Sequence, residues 1–307
     1  MMTAQHLTKR YGGRNGKTAV DDLTFTVRPG TVTGFLGPNG AGKSTTMRMI
    51  LGLDAPTSGN VTVGGRSYAA HPAPLTEVGA LLEARSVHPG RTARHHLRGL
   101  ALTHGLPKRR VDEVLDLTGL TEVADRRVKG FSLGMGQRLG IAAALLGDPA
   151  TLVLDEPVNG LDPEGVRWIR TLLKSLAAEG RTVLVSSHLM SEMALTADHL
   201  IVIGRGRLLA DTTVTDFVRD SGAASVRVVT PDPDALTVLL QAPDVAITDT
   251  AGALDIRGTT AEHIGRTAAA HGIPLYELTP STSSLEDAFM TLTHDAVEYT
   301  APQGAAA

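Results

Sequence analysis

GPNGAGKST, Gly37 to Thr45, stands between the apolar run VTGFL (Val32–Leu36) and a helical pattern over Lys43–Leu51. It fits G-x-x-x-x-G-K-[ST], and a strand before and a helix after are the context that gives the pattern meaning. Through Gly37, Pro38, Asn39, Gly40, Ala41 and Gly42 the backbone can curl so that successive N–H groups point inward. The start of the helix adds the positive end of its dipole, and together these make a phosphate cradle. Lys43 is placed to neutralise the β- and γ-phosphates of a nucleoside triphosphate, the Ser44 hydroxyl to ligate Mg²⁺, and Thr45 completes the turn.

Two more buried runs lie outward from this one. TLVL (Thr151–Leu154) leads into Asp155 and Glu156, and TVLVS (Thr182–Ser186) leads into Ser187 and His188. Ligands of α/β sheets sit at the carboxyl ends of strands. There an aspartate can hold a Mg²⁺ shell, a neighbouring glutamate can polarise an attacking water, and a histidine can reach the terminal phosphate. Without the cradle upstream, the carboxylates would read as a solvated turn and the histidine as a structural hydrogen bond. Asp162 N-caps a helical pattern over Pro163–Glu179, with Pro163 at its first position and Gly180 just past its end.

Strand followed by helix, repeated, implies a parallel sheet with covering helices. The alternating segments DLTFTV (Asp22–Val27) and GNVTV (Gly59–Val63) supply an antiparallel edge. Thr92–Leu146 reads as a helical insert. After about Asp220 the register changes, with strands at Ser225–Val229 and Ala253–Arg257 and helices at Asp232–Leu240 and Thr260–His271. Leu275–Leu278 and Ser284–Leu292 close this small mixed unit, and Gly222 and the Pro231/Pro233 pair punctuate the linker. The expected fold class is α/β, a P-loop NTPase-type, mostly parallel sheet over residues 1–220 with a helical subdomain at about 84–147. A small α+β accessory domain follows over 221–295, then a disordered tail over 296–307.

Composition sets the outer bounds. The 307 residues are 42% hydrophobic and 20% charged, enough for a large core and unlike a disordered chain. Twenty-nine basic against 32 acidic residues leave a net charge of −3, without the footprint of a general nucleic-acid binder. There is no cysteine, which excludes disulfides, thiolate zinc sites and cysteine nucleophiles together. The longest apolar stretches fall far short of the ~20 residues of a membrane span, and MMTAQHLTKRYGG lacks a signal-peptide core. A soluble cytoplasmic protein is expected, held at any membrane by something else.

From Thr3 to about Phe217 the chain resembles the ATP-binding cassette ATPases, the engine subunits of transporters. GPNGAGKST is its Walker A stretch, LVLDEP (Leu152–Pro157) its Walker B stretch, and FSLGMGQR (Phe131–Arg138) resembles the family signature, in the family's order of cradle, signature, carboxylates and histidine. The resemblance implies ATP and Mg²⁺ as ligands and a head-to-tail homodimer. In it, Ser132 and Gly134, at the start of a helix running to about Leu146, face the γ-phosphate held by the other copy. The catalytic set it implies is Glu156, His188 and Lys43, with Ser44 and Asp155 at the metal. Tyr11 would stack on adenine, or else simply pack at its turn. Gly160-Leu161-Asp162 matches the loop through which the two subunits sense each other. Also implied are a separate transmembrane permease, a place at the cytoplasmic face of the cell membrane, and no nucleic-acid partner. The FSLGM form is similar to drug- and antibiotic-resistance exporters. The alternative is a soluble cassette ATPase acting as a nucleic-acid or ribosome-associated switch. Such proteins typically carry two cassettes or long coiled coils, whereas this chain has one P-loop and no heptads.

The sequence departs from the family pattern in places. Leu133 and Met135 replace the commonest glycine and glutamine of the signature, and Val158 stands where many relatives have threonine or serine. Glu83, in GALLEAR, takes the place of a glutamine that in the family usually contacts Mg²⁺ and reports nucleotide state to the membrane partner. A carboxylate can ligate the metal there, at the cost of added negative charge, or can be merely solvated. The cationic cluster His88–Arg98 suits a partner surface or a solvated helix face, and adjacent His95 and His96 do not share a helix face.

Overall fold

The computed structural model describes residues 1–12, 16–83, 87–220, 225–250, 252–281 and 284–293. The chain forms two compact units, Met1–Thr213 and Val214–His294. In chain order, the first unit contains β1 (Met2–Arg10), β2 (Thr18–Val27), β3 (Val32–Leu36), α1 (Lys43–Ile50), β4 (Ser58–Val63), α2 (Pro74–Glu77) and β5 (Val78–Leu81). The helical insert follows as α3 (Ala93–Thr103), α4 (Lys108–Leu117) and α5 (Leu133–Leu145). The unit closes with β6 (Thr151–Leu154), α6 (Pro163–Ala178), β7 (Thr182–Ser186), α7 (Met190–Thr196), β8 (His199–Gly204) and β9 (Arg207–Thr213).

The main sheet has the order β5-β6-β7-β3-β8-β9, parallel except for β9 at its edge. Strands β3, β6 and β7 are buried at every position, which is why their sequences run apolar instead of alternating. Phe35 pairs with Ser186, and Leu154 with Val185. This register brings Gly37, Asp155 and Ser187 out at one sheet edge. A second, antiparallel sheet has the order β2-β1-β4. It shares a core with α1 and the main sheet, built from Leu7, Leu23, Phe25, Phe35, Met47 and Ile201 among others. The strand period fails in β1 and the first half of β2 because His6 (φ 50°) and Asp22 (φ 54°) take the left-handed conformation where the β1–β2 register shifts. In the insert, α5 packs on β5.

The second unit contains α8 (Val214–Asp220), β10 (Ser225–Val229), α9 (Pro233–Leu240), β11 (Ala246–Thr250), β12 (Ala253–Arg257), α10 (Ala261–Ala270), β13 (Glu277–Ser281) and α11 (Leu285–Thr293). The division falls before α8 and not after residue 220, because α8 packs against α11. The sheet order is β11-β12-β10-β13, and every neighbouring pair is antiparallel. With α9 and α10 as the two crossovers, this is the split βαβ, ferredoxin-like arrangement. Val226, Val228, Leu254 and Ile256 pack with Leu236, Leu240, Ile264 and Ala268 of those helices. The alternate residues of the strands are polar: Arg227 lies 3.6 Å from Glu277, and the Ser225 hydroxyl donates to Asp255 at 3.2 Å. The tail at 296–307 lies outside the described residues. Among those described, no helix is long and apolar enough to cross a membrane.

Candidate active site

The chain leaves β3 through the glycine-rich turn and enters α1 at Lys43. Gly42 is the N-cap of α1, with φ 103° and no side-chain cap, so the amides of the first turn stay open to a ligand. Only glycine fits there: a Cβ would stand 2.4 Å from the Ala19 carbonyl oxygen. The Lys43 ammonium donates to the carbonyls of Gly37 and Pro38, the latter at 3.2 Å. Burial lowers the Lys43 pKa, against the opposing pull of the Glu156 and Asp155 carboxylates. Tyr11, Lys17, Ala19, the residues from Asn39 through Thr45, Asp155 and Glu156 line one cleft of about 480 Å³, within the ordinary range for a small-molecule site.

The carboxylates at the end of β6 are pinned from several sides. Asp155 accepts from the Ser44 hydroxyl through Oδ2 at 2.9 Å and from the Ser186 hydroxyl through Oδ1 at 2.5 Å. The same Ser186 oxygen accepts the backbone N–H of Glu156 at 3.0 Å. Glu156 stands in the left-handed region at φ 51°, a conformation that costs a non-glycine residue on the order of 1 kcal/mol and persists only where its surroundings enforce it. Its Oε2 faces the backbone N–H of His188 at 3.3 Å and His188 Nδ1 at 2.8 Å. An ionised carboxylate only accepts, so Nδ1 carries the hydrogen in this pair, leaving Nε2 of a largely exposed ring available. Lysine, hydroxyl, two carboxylates and imidazole thus meet at one sheet edge.

Residues 20–159 match the ABC transporter family. The ABC transporter ATP-binding protein YhcH of Bacillus subtilis is 39% identical over 303 residues, covering 97% of each chain. The chain is an ABC transporter ATP-binding protein. The bacitracin transport ATP-binding protein BcrA of Bacillus licheniformis is 38% identical, covering 93% of this chain and 95% of its own. For the linearmycin resistance ATP-binding protein LnrL of B. subtilis the identity is 35%, with 95% and 98% covered. A solved ATP-binding subunit of an ABC transporter superposes with a TM-score of 0.65 at 29% identity, covering 72% of this chain and 93% of that one. A dimeric ATP-binding cassette in a post-hydrolysis state with ADP and phosphate gives 0.64 at 25% identity, covering 70% and 99%. Residues 224–286 match a second family, described as a domain of unknown function. This ABC protein therefore binds and hydrolyses ATP as the ATPase subunit of a transporter.

In this ABC ATPase the signature residues do not line the cleft that holds Lys43. Ser132 N-caps α5, its Oγ accepting from the Met135 amide at 3.2 Å, and its own hydroxyl hydrogen remains to donate elsewhere. The unusual Leu133 has a local explanation. A Cβ on Gly160 (φ 74°) would lie 2.3 Å from Leu133 Cγ, and one on Gly134 would lie 2.8 Å from the Gly160 carbonyl oxygen. The signature therefore packs against the Gly160-Leu161-Asp162 loop of the same chain. Asp162 caps α6, accepting from the Gly165 amide at 2.8 Å. Tyr11, at the cleft, donates its hydroxyl to Asp54 at 3.1 Å, and the Lys9 ammonium lies 5.0 Å from the centre of its ring.

Of the three expected metal ligands the structure brings Ser44 and Asp155 together. Glu83, just past the end of β5, the neighbour of β6 in the sheet, lines a recess of about 370 Å³ with Arg48, Tyr68, Leu82 and His96. Three residues of this neighbourhood went unread in the sequence: Ser186, Gln137 and Lys17. Ser186 left a signal, a hydroxyl ending a mostly apolar strand. Gln137 is buried on α5 and donates its amide to the Glu156 carbonyl at 2.9 Å. Lys17, immediately before β2, lines the cleft, and nothing in its sequence context marks it.

Proposed function

We propose that two copies of this chain pair head to tail, each enclosing one ATP between the cradle of one copy and the Ser132 tip of the other. In this reading, hydrolysis drives export through a separate transmembrane permease at the cytoplasmic face of the cell membrane. The observation that carries the pairing is the incompleteness of the cleft: Lys43, Ser44, Asp155 and Glu156 converge with His188 in one chain, while Ser132 and Gly134 stand outside. The bacitracin and linearmycin relatives support an antibiotic-like cargo.

Each residue then has a role its chemistry supports. Lys43, desolvated by its surroundings, turns from the Gly37 and Pro38 carbonyls to the phosphates, and neutralisation there relieves its burial. The pairing of the Ser44 hydroxyl with Asp155 fits a Mg²⁺ site. Among the described residues no cluster of three or more acidic, histidine or cysteine ligands exists, and Mg²⁺ is ordinarily held by one or two side chains plus phosphates and water. When bound, it would offset phosphate charge. Ser186 holds Asp155 in register with the ligand site. Glu156 accepts the proton of the attacking water, and His188 orients that carboxylate through Nδ1 and offers Nε2 to the γ-phosphate. Tyr11 supports adenine, the Ser132 hydroxyl and the Gly134 amide bind the γ-phosphate in trans, and Asp162 lies on the pairing face. Glu83 acts in coupling to the permease.

The test is Glu156→Gln with MgATP, followed by light scattering and phosphate release. An ATP-dependent dimer should accumulate while turnover falls by about 10²–10⁴-fold, the usual contribution of a general base. Hydrolysis at the parent rate would remove Glu156 from this role.

A further inference from the structure

Glu156 is held on its carbonyl side by the helix that carries the signature. Gln137 lies about one turn into α5 and is 3% exposed. Burying a primary amide is unfavourable unless its hydrogen bonds are made, and leucine or methionine would fill the same volume without that cost. What the amide alone supplies is an N–H directed at the Glu156 carbonyl, 2.9 Å away. That carbonyl belongs to a residue in the left-handed conformation, whose orientation depends on partners at both ends of its peptide. Ser186 on β7 takes the N–H and His188, just beyond β7, takes the carboxylate. Ser186 lies on the strand hydrogen-bonded to β6 and His188 follows two residues later, so both come from the sheet side. Gln137 is different, because it comes from the helical insert.

The same helix touches this loop a second time. At its tip, Leu133 and Gly134 are packed against Gly160, four residues beyond Glu156. The signature helix therefore grips both ends of the Glu156–Gly160 segment, at Gln137 and at Leu133–Gly134.

We propose that Gln137 is a positioning residue that ties the orientation of Glu156 to the seating of its own signature helix. A subunit's carboxylate is then aligned for its own ATP when its signature tip is engaged on the ATP of the other copy. This rests on the assignment of Glu156 and Ser132 made above. Gln137 touches no reacting atom; it acts through the peptide of Glu156.

The experiment compares Gln137→Met, which keeps the volume and removes the donor, with Gln137→Glu, in which only a protonated carboxyl can donate. For Gln137→Met, kcat should fall about ten- to hundredfold, as small misplacements of a reacting group do. ADP affinity and the thermal midpoint should stay at parent values, and the ATP dependence should lose its cooperativity. For Gln137→Glu, activity relative to the parent should recover as pH falls from 8 to 6, a response that simple packing does not produce. Parent kcat and cooperativity in Gln137→Met, or loss of ADP binding in step with kcat, overturns the proposal. So does a pH-independent ratio for Gln137→Glu, which decides the matter if Gln137→Met does not fold. Glu156→Gln is measured alongside: if it is inactive while Gln137→Met is normal, only this inference fails, and if it turns over normally, the underlying assignment of Glu156 fails.

Discussion

Two helices of the first unit, α1 at the cleft and α5 at the proposed pairing face, have N-termini that are finished differently. Helix α1 opens at a left-handed glycine with no side-chain cap, and the residues of its first turn line the cleft. Helix α5 opens at Ser132, whose hydroxyl already accepts the Met135 amide. No side chain meets the open amides of the first terminus; at the second only the Met135 amide is met by a cap, which leaves the Gly134 amide and a hydroxyl hydrogen for a ligand. Affinity for nucleotide should therefore reside in the α1 end, and closure of the assembly in the α5 end, although both use the same partial charges.

The largest effect should come from Lys43→Met. It removes the desolvated cation from the α1 end, and losing one partner of a buried charge pair costs about 2–5 kcal/mol, roughly thirty- to several-thousandfold in affinity. Titration with a fluorescent ATP analogue measures it. A variant that still binds like the parent would break the contrast at its root.

A smaller and differently placed effect is expected at the other end. Ser132→Gly keeps most of the capping preference, costing only a few tenths of a kcal/mol, while Ser132→Ala loses about 1 kcal/mol. Both delete the outward hydroxyl. Their turnover should therefore drop alike, with ADP affinity of the isolated subunit unchanged, while their thermal midpoints differ. If turnover instead followed the midpoints, with Ser132→Gly near the parent, the hydroxyl would be only a cap.

The same contrast explains what could be read from the chain beforehand. The cradle, the strand-end carboxylates and the Asp162 cap are local: each side chain acts within a few residues of the turn that defines it, so spacing carries the information. Gln137 and Ser186 act across 19 and 30 residues of chain, and only the sheet and helix packing reveals what they hold. The strands show a parallel division. Buried β3, β6 and β7 announce themselves by composition. β1 is hidden by its bulges, and β11 by being an exposed edge at Ala246, Thr248, Asp249 and Thr250, where a polar sequence looks like a loop. Glu83 meets the same limit. A motif position predicts a residue's neighbour in chain order, whereas its recess is shaped by Tyr68 and His96 from elsewhere in the unit.

The weakest predicted effect concerns that recess, which α5 also lines through Gly140 and Ala143. His96 there has its pKa lowered below the usual 6.5, first by burial and then by nearby Arg91, and its Nδ1 is buried without a hydrogen-bond partner. The native state thus favours the neutral ring, and the unfolded chain takes up the proton more readily. Stability rises with pH wherever the unfolded state binds more protons. The contribution of His96 is therefore complete above the ordinary histidine pKa and is lost as pH falls through the lower native value. Thermal unfolding at pH 8 and pH 5.5 should show His96→Gln losing less stability on acidification than the parent does, with little difference between the two at pH 8. Equal acid losses would mean that protonated His96 finds a partner in the recess.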